Sequence, residues 1–305
     1  MLKVYNKRMF RFAFLVSVSL ASLAHAGTAA VDIDTAAGLY QDAAIREQVR
    51  ASLGSMPAHV RKLFEGNTAA PMSEDQLAAV TLAATRSFRI DVFEVSALSA
   101  FAANLDADTV KKADAFFSSD YGKRMVAADL SLASLSDAEA DKVLNGDLTV
   151  PSNSQRTALF DKLERAERSA ESTVQVLLTM GTAVALGTAI GSGMDPGPVE
   201  QRARKSGDAE RQALVENMRE PLRRYMAYGY RDLSDADLKH ILSFLQTPAG
   251  KQYTTAYLAS LGAGFYAMGR RCGEQLGESL REMAMAQLAT ENLERAPDPD
   301  LKKRD

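Results

Sequence analysis

The chain has no tryptophan, a single cysteine and three histidines in 305 residues, and only 7% of it is aromatic. Lone Cys272 cannot close an intramolecular disulfide, so stability has to come from packing. One cysteine and two distant histidines, His59 and His240, cannot assemble a structural zinc site. With large aromatics scarce, a core must be built from Leu, Ala, Val and Met, and alanine and methionine favour helix. Positive charge is also short: 36 Lys and Arg face 39 Asp and Glu, a net charge of −3. That balance makes a poor nucleic-acid ligand, because affinity for phosphate backbones comes mainly from Lys and Arg. What the chain has in quantity is apolar surface. At 46% hydrophobic residues, there is material for one large core or two smaller ones.

The amino terminus is different in kind. Lys3, Lys7, Arg8 and Arg11 form a basic start, residues 12–23 are mostly apolar, and Ala24-His25-Ala26 is a small-x-small cleavage site. These three parts in this order predict a secretory signal peptide over 1–26, cleaved after Ala26, and hence a periplasmic protein. Its apolar run is shorter than the roughly 20 residues of a membrane span. Removing four positive charges from −3 takes the mature chain to about −7.

The chain is organised around a stretch that it spells twice. Residues 233–258 read LSDADLKHILSFLQTPAGKQYTTAYL, and residues 105–130 read LDADTVKKADAFFSSDYGKRMVAADL, without a gap. Leu233, Lys239, Phe244, Gly250, Lys251, Ala256 and Leu258 fall on Leu105, Lys111, Phe116, Gly122, Lys123, Ala128 and Leu130. Ser234 with Asp237 has capping-box spacing, and Leu238, Ile241, Leu242 and Leu245 follow at helical period. Thr247-Pro248 then starts a second helix, as Ser119-Asp120 does in the first copy. Gly250 and Gly122 sit one turn into that helix, where a missing Cβ permits close backbone approach. The glycine-lysine pair is not a phosphate loop, which needs more glycines and a preceding strand.

The order of cap, acidic first turn, Phe and Thr-Pro-Ala-Gly-Lys resembles the helical family catalogued as domain of unknown function 2059, found mainly in exported bacterial proteins. Residues 207–265 carry the resemblance well; residues 75–130 carry it weakly, since Asp120 stands in place of the proline. The resemblance implies an all-α exported domain and brings no activity, cofactor or catalytic residue with it.

Turn chemistry at 147–152 marks a boundary, dividing the chain into a first helical unit over 35–146 and a second over 152–295. Residues 296–305 read as a disordered tail. Within the units, periodicity predicts long helices over 35–53, 73–103, 154–190 and 263–295, with a kink at Pro221. Residues 172–194 carry no charge. They are long enough to cross a membrane, with Ala183, Gly187 and Gly191 as a small-residue ridge, but their glutamine, threonines and glycines suit a helix buried inside a soluble domain. Gly269, Gly273 and Gly277 form a second ridge. Each glycine in a helix costs roughly 1 kcal/mol relative to alanine, so the spacing predicts a compensating close contact, with the 183–191 ridge as the partner.

No constellation names a reaction. His240 aligns with Lys112 on a charged helix face, and His59 has no evident partner. Asn104, Asp106 and Asp108 resemble the opening of a calcium loop but lack its glycine and closing glutamate, so they read as cap residues. Cys272 shares a stripe with Phe265, Gly269, Leu276, Leu280 and Met283, which predicts a buried, inert thiol; Arg270 and Arg271 would activate it only if it were exposed. The run Arg219, Arg223, Arg224, Tyr225, Tyr228, Tyr230, Arg231 reads as one solvated and one buried helix side. No catalytic, cofactor-binding or metal-binding residue is assigned. The resulting expectation is an all-α, non-enzymatic binding or structural module that recognises a protein, peptide or envelope component. Membrane association through 172–194 and an enzyme of unrecognised type are the alternatives.

Overall fold

The computed structural model describes residues 30–66, 71–150, 152–205 and 208–294. The signal peptide expected over 1–26 and the tail over 296–305 lie outside them. Among the described residues there are fourteen α-helices and no strand. In chain order they are α1 (Ile33–Asp42), α2 (Ile45–Leu53), α3 (Met56–Glu65), α4 (Glu74–Ser87), α5 (Ile90–Ala103), α6 (Ala107–Phe117) and α7 (Asp120–Ala133). Then come α8 (Asp137–Asn145), α9 (Ser154–Glu167), α10 (Ser169–Gly191), α11 (Gly197–Lys205), α12 (Asp208–Gly229), α13 (Asp235–Gln246) and α14 (Pro248–Glu294).

Three expected long helices are broken and a fourth is longer than periodicity predicted. The 35–53 helix breaks at Ala44, which adopts the left-handed conformation at φ 50. Buried Gln48 compensates there by donating from Nε2 to the Ala43 carbonyl at 3.0 Å, because a buried backbone acceptor left unpaired is costly. The 73–103 helix breaks at Phe88 and Arg89, where Phe88 turns into the core. The 154–190 helix breaks at Arg168, φ 57. Conversely, the last helix does not start near Ala263: it continues from Pro248 for 47 residues. In each case apolar period runs across the junction, so only packing decides whether the axis continues.

The two similar stretches fold alike. Asp106 and Ser234 cap α6 and α13 through Thr109 N and Asp237 N. Ser119 Oγ and Thr247 Oγ1 each donate to the carbonyl three residues back, Phe116 or Phe244, and each accepts from a glycine amide, Gly122 or Gly250. A methyl group on either glycine would collide with that same phenylalanine carbonyl. The stretches meet through equivalent rings: Phe116 stacks on Phe244 with centroids 4.0 Å apart and planes 5° from parallel. Pairing is reciprocal, since α6 packs on α14 while α13 packs on α7. The helices before them correspond too: α1 contacts α6 as α9 contacts α13, and α2 contacts α7 as α10 contacts α14.

The cores run across the 147–152 boundary. The largest joins Leu39, Ile45, Phe93 and Phe101 of the first half to Phe265, Met268 and Leu276 of α14. A second joins Met125 of α7 to Phe160, Met226 and Ile241. Both glycine ridges meet as expected. Methyl groups on Gly187 or Gly191 would strike the Arg270 or Glu274 carbonyl, and on Gly273 or Gly277 the Val184 or Thr188 carbonyl. Backbones therefore touch along α10 and α14, where dispersion and buried area offset the glycine penalty. By length and composition α10 could cross a membrane, and half of its apolar window is buried inside the protein.

Candidate functional site

Where the two halves meet, a cavity of about 80 Å³ opens among residues from both, including Asp129, Glu167, Tyr230, Tyr253 and Tyr257. That is room for several waters or a small head group, as one water needs roughly 10–15 Å³ on this measure. Its position follows from the helix breaks. Ending α9 at Arg168 turns Glu167, the last residue of that helix, towards α7 and α14. Asp129 takes a place on the inner side of α7, one turn after buried Met125. Tyr253 and Tyr257 are one turn apart on α14, and Tyr230 closes α12 with its ring fully buried.

Two carboxyls and three phenols share this partly open space, in which Asp129, Glu167 and Tyr257 are half-buried. Asp129 Oδ1 accepts from Tyr230 Oη at 2.8 Å. Glu167 Oε2 accepts from Ser169 Oγ at 3.2 Å, while Glu167 Oε1 is buried without a hydrogen-bond partner. Burial raises Asp129 to about 7 against the opposing pull of the Tyr230 hydroxyl. Burial raises Glu167 to about 8, with the Asp129 charge adding to the effect and Ser169 opposing it. Tyr230, Tyr253 and Tyr257 are pushed above the usual phenol range, first by burial; the two carboxylates come next for Tyr230 and Tyr257, and follow Tyr257 for Tyr253. Near neutrality the pair holds at least part of a proton, because desolvation and like charge both disfavour two anions here. A cation in the cavity would reverse that penalty.

An ion network holds the break beside the cavity in place. Arg219 of α12 reaches Glu164 Oε2 at 2.9 Å and Glu171 Oε1 at 2.6 Å. Glu164 Oε1 accepts from the Ala170 amide at 3.2 Å, which caps the start of α10. Burial raises Glu164, and its Ala170 bond and the Arg219 charge oppose the rise.

The residues singled out from sequence lie elsewhere. His240 is exposed and stacks on Tyr121 at 4.0 Å. His59 lies 3.8 Å from the Asp137 carboxylate. Cys272 is 1% exposed, and burial pushes its thiol up to about 12, so it is the inert thiol its stripe predicts. Asp106 caps α6, Asp108 pairs with Lys112 at 2.6 Å, and Asn104 donates to the Ala100 carbonyl. In the 219–231 run Arg223 and Arg224 bind exposed carboxylates and Arg219 binds the buried Glu164, while Tyr225 donates to the Leu132 carbonyl within. Sequence reasoning missed Asp129 and Glu167. Asp129 had a signal, an acid four residues after Met125 on an apolar face; Glu167 had none among its charged neighbours. No described protein family, curated protein or solved structure matches the chain.

Proposed function

We propose that the chain is a non-enzymatic helical binding module of the bacterial envelope, exported by the leader over 1–26. Its protein, peptide or envelope partner would present a small cationic group to the cavity. The reading is carried by Glu167 Oε1, a carboxylate oxygen buried without a partner beside a second carboxyl and ringed by tyrosines, whose faces also attract cations. The resemblance of 207–265 to the family of unknown function 2059 agrees with export. Reciprocal packing of the two stretches supports their origin by duplication, which would make the site a product of joining two units. Membrane association through 172–194 is the second reading. It rests on the length and apolarity of α10, and the burial of half that window weighs against it.

Calorimetric titration with methylammonium and putrescine tests the cavity. At about pH 8.5, above both carboxyl values, saturable binding is expected, and Glu167→Gln should weaken it about tenfold, the cost of one charge-assisted hydrogen bond. Absence of saturable binding by the unsubstituted protein at that pH would refute the cation reading.

A further inference from the structure

The acids of α9 and its cations point different ways. Asp161 lies 3.5 Å from Arg223 and Glu164 2.9 Å from Arg219, both on α12, and Glu167 lines the internal cavity. Lys162, Arg165 and Arg168 recur every third residue and therefore share another face. That face borders an open groove of about 610 Å³, whose opposite wall is the start of α14, with Lys251, Thr254 and Thr255. All four cations are exposed, and no carboxylate among the described residues lines the groove. Lys162, Arg165 and Lys251 make no ion pair with any described residue. Lys162, Arg165 and Lys251, like charges gathered without counter-ions, repel one another, so these three gain stability when an anion enters.

We infer that this groove binds a compact, multiply charged anion of the phosphate class, either free or carried on a lipid headgroup. The Arg165 fork and two lysine point charges around one space match several oxygens on a single centre. An extended polyanion fits less well, because the chain as a whole is negative and would repel the strand beyond the groove. The first half lacks this feature at the corresponding break: Gly38, Gln41 and Ala44 stand six, three and zero residues before its left-handed residue, where the second half has Lys162, Arg165 and Arg168. The groove is separate from the proposed cation cavity, although Leu245 and Thr254 wall both.

The test uses the mature chain in two assays at neutral pH and low ionic strength: calorimetry with pyrophosphate, and flotation with phosphatidylglycerol or phosphatidylcholine vesicles. Arg165→Glu with Lys251→Glu reverses the groove, and Lys111→Glu with Lys239→Glu makes the same charge change at exposed sites elsewhere. Saturable pyrophosphate binding, weakened at least about tenfold by groove reversal and not by the control, supports a free phosphate ligand. Flotation with phosphatidylglycerol alone, lost on groove reversal only, supports a lipid headgroup. Glu167→Gln should leave either result unchanged, which separates this inference from the cation reading. Binding in neither assay, or equal loss in the control pair, overturns it; helical circular dichroism confirms that each variant folds.

Discussion

The breaks at Ala44 and Arg168 are the two left-handed non-glycine residues among the described residues, and each separates the helix that packs on the first helix of a repeated stretch from the helix that packs on its second. They are stabilised differently. At the first, the Gln48 amide satisfies the Ala43 carbonyl by a neutral bond, and both residues line the cavity that holds Asp129 and Glu167. At the second, Arg219 joins Glu164 and Glu171, with a cavity on one side and a basic groove on the other. A neutral hydrogen bond is enough to hold the geometry, so the charges at the second break are not required for the turn alone. They concentrate where the structure also leaves space. Both breaks therefore border the cavity, to which the first half brings Asp129 and the second Glu167, and the basic groove lies at the second break alone.

The largest expected effect sharpens the comparison of helix pairs, α10 with α14 against α2 with α7. Gly273→Val would force branched carbon atoms into the Val184 carbonyl and the Thr188 amide. The helices would have to part, and a loss of more than about 3 kcal/mol is expected in chemical denaturation, beyond ordinary overpacking. A variant within about 0.5 kcal/mol of the starting protein would show that the ridge contact is not as close as described. Next comes the contrast between the breaks themselves. Arg219→Ala strands Glu164, whose side chain is 5% exposed, and should cost about 3–5 kcal/mol. Gln48→Ala removes a neutral bond and should cost about 1–2 kcal/mol. Equal losses would erase the distinction between a charged and a neutral break.

The smallest effect is on pH dependence. Asp129 and Glu167 have ordinary values of 3.8 and 4.5 and are raised in the folded state to about 7 and about 8. The native state thus binds protons more tightly than the unfolded chain. Its stability from this pair is fully present below about pH 4 and is lost as pH rises through about 7 to 8. The melting temperature should fall across that window, by about 5 °C or more. Glu167→Gln should flatten the fall. A melting temperature that rises steadily from pH 5 to about 8 in the unsubstituted protein would contradict the burial assigned to this pair.

Much of the local structure was legible beforehand. Asp106 and Ser234 mark helix starts because a side-chain oxygen three residues ahead of an unpaired amide is a local device, independent of the rest of the fold. Glycines at 269, 273 and 277 were legible as a contact for a similar reason: their cost in an isolated helix demands an explanation nearby. The breaks were not legible, since Ala44 and Arg168 have no preference for the left-handed region. Asp129 and Glu167 were hidden because a carboxylate's meaning depends on its surroundings. Glu167 looks like its neighbour Arg168 in sequence, yet one lines an internal cavity and the other an open groove.

Composition and period by themselves determined an all-helical chain, the caps that start its helices, the equivalence of two helix–cap–helix stretches and the facing of its two glycine ridges. Each is written in the spacing of residues a few turns apart, even where the two segments it relates are distant in sequence. Tertiary structure alone decided where a continuous apolar pattern bends, which helices cross between halves, and which of 39 acids lose their water. Bending is settled by the packing free energy of distant helices, which exceeds the roughly 1–2 kcal/mol cost of one left-handed residue. Desolvation likewise depends on every element around a carboxyl group, and no neighbour in sequence reports it.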